Sequence, residues 1–169
     1  MSGPVLVVIG LPGSGKSTVG RLLADALGVG FRDTDDDVEA AAGETIADIF
    51  VSRGEDEFRA LERAAVVSAL AEHDGVLALG GGAILDPQTQ ADLGGHRVVH
   101  LDVSLAAASP RIGLSGARPL LVGSPRKQWL VLAEARRAIY TSLARVSVST
   151  DGRTPQQVAE QVLAELEEL

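Results

Sequence analysis

Three observations predict an α/β fold for the 169-residue chain, a mainly parallel sheet with helices on both faces. Apolar runs rich in β-branched residues recur at Val5–Ile9, near Phe31, and at Val76–Leu79, Val98–Asp102 and Val146–Ser149, giving five candidate strands. Stretches with apolar residues at helical spacing lie between them, the alternation from which parallel sheets are built. A glycine-rich turn follows the first run at once and leads straight into a helical pattern. The length fits a single domain over 1–169.

Taken in order, Val5–Ile9 is continuously apolar, as expected of a strand buried on both faces. From Lys16 to Leu27 the apolar positions Val19, Leu22, Leu23, Ala26 and Leu27 mark one helix face, and Gly28 supplies the stop. The segment near Phe31 runs into Asp33–Asp37, where Asp36 and Asp37 read as first-turn carboxylates of the next helix. A further helix is predicted from about Gly54 to His73, with Glu55, Asp56 and Glu57 at its positive end and Phe58, Leu61, Ala65 and Ala69 as its buried stripe. Val76–Leu79 ends in three consecutive glycines, Gly80, Gly81 and Gly82. Residues from about Ile112 to Pro125 mix Gly, Ser and Pro without periodicity, as in a long loop of the lid type. Thr154, Pro155 and Gln157 form a capping box with proline at the first helical position; the acidic end, Glu165, Glu167 and Glu168, opposes the dipole and is expected to fray.

Composition narrows the function. With 15 Lys and Arg against 23 Asp and Glu, the net charge is -8, and only Phe31, Phe50, Phe58, Trp129 and Tyr140 are aromatic, which argues against a nucleic-acid partner. There is no cysteine, and His73, His96 and His100 lack metal-ligand spacing, so a zinc site is not expected. No apolar run reaches the length of a membrane span and no signal-peptide pattern is seen; the expectation is a cytoplasmic protein, and a monomer. The charges are segregated. Acids crowd Asp33–Asp74, whereas Arg111, Arg118, Arg126, Lys127, Arg136, Arg137, Arg145 and Arg153 face only Glu134 and Asp151, a distribution suited either to a solvated basic face or to holding an anion.

Gly10–Ser17 reads GLPGSGKS, which matches G-x-x-x-x-G-K-[ST] between an apolar strand and a helix. Glycines at 10, 13 and 15 let the backbone wrap with its N–H groups inward, the helix N-terminus adds positive potential, Lys16 supplies a cation for the β- and γ-phosphates, and the Ser17 hydroxyl can ligate Mg²⁺. Thr18 stands where a dinucleotide fingerprint wants its third glycine, which disfavours a nicotinamide site. The chain has no asparagine, so a guanine-reading Asn-Lys-x-Asp is absent. Asp33-Thr34-Asp35 ends the second strand at the sheet edge where ligands collect; one carboxylate there can hold Mg²⁺ and the other can orient or deprotonate an attacking hydroxyl.

In order and spacing, GLPGSGKST at Gly10–Thr18, DTD at Asp33–Asp35, GEDEFRALE at Gly54–Glu62, GGG at Gly80–Gly82, RPLL at Arg118–Leu121, and Arg136 four residues before Tyr140 resemble the shikimate kinases over nearly the whole chain, in detail the actinobacterial ones. The resemblance implies a three-layer P-loop NTPase fold with strand order 2-3-1-4-5. It implies ATP-dependent phosphorylation of the 3-hydroxyl of shikimate, in chorismate and aromatic amino-acid biosynthesis, with one Mg²⁺ per subunit held by Ser17 and Asp33. Lys16, Asp35 and Arg118 would be catalytic. ATP would lie on Gly13, Ser14, Gly15, Lys16, Ser17 and Thr18, with Arg118 reaching over from the lid at about 112–125 and Arg111 and Pro155 sandwiching the adenine.

Shikimate would meet Asp35, Arg59, Arg136 and the backbone N–H groups of Gly80, Gly81 and Gly82. Glu62 would hold Arg59, and Phe50 and Phe58 would wall the pocket or simply pack in the core. Where the family often has Arg-x-Pro-Leu-Tyr this chain has Arg136-Arg137-Ala138-Ile139-Tyr140, which leaves Arg137 as an alternative to Arg136. Other readings are a gluconate or nucleotide kinase of similar fold, or a silent nucleotide-binding module.

Overall fold

The computed structural model describes residues 3–104 and 125–168. Five parallel strands, β1 (Leu6–Gly10), β2 (Phe31–Asp33), β3 (Val76–Ala78), β4 (Val98–Asp102) and β5 (Val146–Ser149), pair in the order β2-β3-β1-β4-β5. That is the order the resemblance implies. β1 is central and completely buried. Its side chains alternate: Val7 and Ile9 enter one core with Val66 and Ala69 of α3 (Ile46–Glu72) and Ala133 and Tyr140 of α5 (Pro125–Leu143). Leu6 and Val8 enter the other with Val19 and Leu23 of α1 (Lys16–Leu27) and Val158 and Val162 of α6 (Pro155–Glu167). Burial on both faces explains why β1 reads as an unbroken apolar run. A smaller third cluster, Val38, Ile49, Phe58 and Ala65, lies between α2 (Thr34–Ala42) and α3.

Boundaries differ from expectation in instructive ways. β1 takes in Gly10, which pairs with Leu101; a Cβ there would stand 2.6 Å from the Leu101 carbonyl oxygen, so only glycine can continue the ladder. The helix expected from Gly54 begins at Ile46, capped by Thr45 Oγ1 on the Asp48 N–H at 3.2 Å, and is broken at Gly54, where φ is 85° and ψ 170°. A Cβ on Gly54 would meet nothing within 4 Å among the described residues, and its φ of 85° is one that glycine adopts freely. The sequence signal near Gly54 therefore marks a break inside a longer element. In the expected stripe Phe58, Ala65 and Ala69 are buried and Leu61 half-buried, with Val66 added. A short α4 (Pro87–Asp92) follows β3, and Pro125, expected in the long loop, opens α5. The α6 capping box forms as expected, with Thr154 Oγ1 accepting from Gln157 N at 3.1 Å and Gln157 Oε1 accepting from Thr154 N at 2.9 Å. The remainder of the loop at about 112–125, with Arg118, and also Arg111, lies outside the described residues.

Candidate active site

The carboxyl ends of β1, β2 and β3 deliver the predicted groups to one edge of the sheet, as open parallel sheets do. After β1 the chain turns through Gly13 (φ 83°) and Gly15 (φ 86°), left-handed conformations that glycine alone adopts without strain. Gly15 occupies the N-cap of α1 and supplies no side-chain cap, so the first N–H groups of that helix face the turn and make an anion cradle. Lys16 Nζ donates to the carbonyls of Gly10 (2.9 Å) and Leu11 (3.1 Å), which holds its charge over the same turn. Ser14 is buried and its hydroxyl has no hydrogen-bond partner among the described residues.

Beside this cradle a cleft of about 160 Å³ is lined by Ser14, Gly15, Thr18, Pro155, Thr150 and Arg153. Thr18 and Pro155 were expected on the nucleotide side; Thr150 and Arg153 were missed. Arg153 carried a signal, as one of the cations of the basic segment, but nothing in its spacing singled it out.

The three residues after β2 do three different jobs. Asp33 caps α2 through Oδ1, which accepts from Asp35 N at 2.9 Å, while its Oδ2 accepts from the Ser17 hydroxyl at 2.8 Å. One oxygen of Asp33 thus caps the helix while the other meets Ser17. Thr34 is fully buried, and its hydroxyl accepts from Gly80 N at 3.1 Å. Asp35 lies against the same glycine: a Cβ on Gly80 would stand 2.5 Å from Asp35 Oδ1 and 3.1 Å from Glu62 Oε2. The Gly80 N–H is thus committed to Thr34, and the share of the loop left for a ligand falls to Gly81 and Gly82. Asp36 and Asp37 lie in the first turn of α2 as expected, Asp37 bound to Arg32 at 2.8 Å.

Glycines 81 and 82 bring in the arginines. A Cβ on Gly82 would collide with the Arg59 guanidinium, and one on Gly81 would lie 3.4 Å from Arg136 Nη1. Arg59 is braced along α3 by Glu62 (2.9 Å) and Glu55 (3.4 Å), and its guanidinium lies 5.3 Å from the centre of the Phe58 ring. Burial pushes the Glu62 carboxyl above the ordinary glutamate range, against the pull of Arg59. Phe58 lies tilted against Phe50 with ring centres 4.7 Å apart, and both pack with the third cluster, so Phe58 reaches the site through Arg59.

Arg136 is 3% exposed and its Nε has no hydrogen-bond partner among the described residues. Arg137 instead is exposed, with its guanidinium 3.6 Å from Asp102. The geometry therefore brings Arg136, not Arg137, to the glycine loop. Burial lowers the pKa of Arg136, partly offset by the Tyr140 hydroxyl, which is itself pushed up to about 12 by burial. A cleft of about 400 Å³ opens on the α3 side, lined by Arg59, Glu62, Arg63, Gly82, Leu85 and Thr89.

Ser17 and Asp33 suit Mg²⁺: a hydroxyl and a carboxylate oxygen in contact, beside a phosphate cradle. Among the described residues there is no group of three or more His, Cys, Asp or Glu that could cage a metal, and Mg²⁺ held by one carboxylate, phosphates and water needs none.

Known proteins are similar to this chain in sequence and fold. A family model described as Shikimate kinase matches residues 12–167. Shikimate kinases of Streptomyces avermitilis and Thermobifida fusca are 59% and 56% identical to this chain, over 99% and 98% of it and 98% and 96% of their own lengths. The structure is similar to that of shikimate kinase from Acinetobacter baumannii in complex with shikimate, with TM-score 0.92 and 30% identity, covering 99% of this chain and 94% of that one. A gluconokinase from Sinorhizobium meliloti, at 20% identity and TM-score 0.60 over 98% of this chain and 92% of its own, shares the fold. A family match that runs almost end to end, with relatives above half identity over nearly their full length, establishes that this chain belongs to the shikimate kinase family.

Proposed function

We propose that this chain transfers the γ-phosphoryl group of ATP to the 3-hydroxyl of shikimate, yielding shikimate 3-phosphate for aromatic amino-acid biosynthesis. The observation that carries the acceptor assignment is Arg136, a buried guanidinium whose Nε has no hydrogen-bond partner among the described residues, set beside Gly81 with Arg59 against Gly82 and Asp35 against Gly80. A buried cation with a nitrogen that no described residue satisfies suits an anion, and two guanidinium forks match one carboxylate.

In this reading Arg59 and Arg136 hold the shikimate carboxylate, and Asp35 accepts from the ring hydroxyl, orients the reacting one and takes its proton. Lys16 and the N–H groups opening α1 stabilise the charge on the transferred phosphoryl. Mg²⁺, when bound at Ser17 and Asp33, offsets the charge of the β- and γ-phosphates. Pro155 and Arg153 border the adenosine side. Arg118 and Arg111, outside the described residues, complete the site in this reading: Arg118, on a lid over about 112–125, reaches the γ-phosphoryl, and Arg111 stacks on adenine. The lid excludes water as a competing acceptor.

A coupled ADP-release assay with shikimate, gluconate and nucleoside monophosphates offered one at a time tests the acceptor. Turnover with shikimate alone supports the assignment; turnover that ignores shikimate refutes it.

A further inference from the structure

The glycine loop after β3 is gripped at two consecutive residues by side chains that the motif reading passes over. Gly80 donates its N–H to Thr34 Oγ1 at 3.1 Å, across 46 residues of sequence and out of contact with solvent. Gly81 accepts at its carbonyl oxygen from the Tyr140 hydroxyl at 2.5 Å, across 59 residues. Each grip sits beside a working group. Thr34 immediately precedes Asp35, and Tyr140 lies one helical turn beyond Arg136 on α5 with its hydroxyl in reach of that guanidinium. The loop is also where both working groups press: Asp35 against Gly80 and Arg136 against Gly81. One peptide unit therefore links the mounting of the base to the mounting of the carboxylate anchor.

We propose that Thr34 and Tyr140 are positioning residues that, by clamping Gly80 and Gly81, fix the separation of Asp35 from Arg136 and so decide which hydroxyl of a bound cyclic acid meets the base. This rests on the roles assigned above to Asp35 and Arg136. The chemistry of the clamp follows from its donors and acceptors. Valine fills the Thr34 site but cannot accept from Gly80, so the loop loses its tether next to the base; serine keeps the acceptor. Phenylalanine at 140 keeps the ring and its packing on His100, whose centroid lies 5.0 Å away, but frees the Gly81 carbonyl next to the anchor.

The two clamps therefore separate kinetically. Thr34→Val is expected to lower kcat at least tenfold while the KM for ATP stays within twofold, and Thr34→Ser to recover to within threefold of the parent. Tyr140→Phe is expected to raise the KM for shikimate at least fivefold with a smaller change in kcat. In an Asp35→Asn background Thr34→Val should lower kcat no further, because the group it positions has gone. A Thr34→Val enzyme with parental kcat, a Thr34→Ser enzyme as impaired as the valine variant, or an undiminished second loss in the Asp35→Asn background would overturn the clamp. Should Thr34→Val fail to fold, Tyr140→Phe decides, and a parental KM for shikimate refutes the proposal. Parental kcat in Asp35→Asn alone would overturn the assignment of Asp35 and the proposal with it, whereas loss there without loss in Thr34→Val overturns the clamp alone.

Discussion

Replacing Gly80 by alanine presses first on the base, Asp35, and less closely on Glu62, the brace of Arg59. Gly80 is not among the glycines with positive φ, so alanine adopts its backbone without strain. Its N–H stays available to Thr34. The only new object is a methyl group, and it would stand 2.5 Å from Asp35 Oδ1 and 3.1 Å from Glu62 Oε2. Ordinary contact begins near 3.4 Å, so the Asp35 carboxylate must retreat by about 1 Å. A displacement of that size at a reacting group costs on the order of a hundredfold in rate, or about 2.7 kcal/mol of barrier.

Stability should change little, since the roughly 0.4–1 kcal/mol that Gly→Ala contributes through the unfolded chain is offset by the crowding of Asp35 and Glu62. Steady-state kinetics by coupled ADP release, with a thermal melt on the same preparation, separates the two effects. A kcat within threefold of the parent would refute the placement of Asp35 as the group that meets the reacting hydroxyl. A fall in kcat that simply follows a fall in Tm would refute the steric argument.

Arg136→Ala removes a charge-assisted contact of about 1.5–3 kcal/mol and should raise the KM for shikimate roughly ten- to a hundredfold with the KM for ATP little changed; equal effects on both would exclude it as the carboxylate anchor. The raised pKa of Glu62 means that acid releases Arg59 earlier than an ordinary glutamate would. The KM for shikimate should therefore climb as pH falls, with a midpoint above the usual glutamate value of 4.5, and Glu62→Gln should abolish that limb. For stability the sign is opposite: a raised folded-state pKa favours folding below pH 4.5 and loses that contribution as pH rises through the folded value, which acid-limb melts of parent and Glu62→Gln can compare. Thr154→Ala breaks the α6 capping box at a cost of about 1 kcal/mol, a fall in Tm of about 2–4 °C, and should leave kcat untouched.

What the sequence revealed followed from how local each signal is. β1, α1 and the phosphate turn were legible because their determinants are contiguous: an apolar run, a glycine spacing and a helical period within Leu6–Leu27. The helix Ile46–Arg53 was not, since only Ile49 of it is fully buried and its stop at Gly54 resembles a start. Thr34 and Tyr140 were invisible as clamps because each bond spans dozens of residues and no pattern in the chain encodes it. The sequence preferred Arg136 to Arg137 only by its offset from Tyr140; that Arg136 is buried beside Gly81 while Arg137 is exposed could not be read there, because neighbours on a helix differ by about 100° in facing and not in chemistry.

The small cluster of Val38, Ile49, Phe58 and Ala65 stands apart from the two sheet cores. It touches the site through Phe58, on whose ring Arg59 rests, and has no share in the packing of β1 or α1 that shapes the phosphate turn. Substitutions within it can retune how the acceptor is held while the triphosphate cradle keeps its form, because changes that share no neighbours act independently. With Arg59 in the role proposed for it, a directed search for altered acceptors would begin at these four positions.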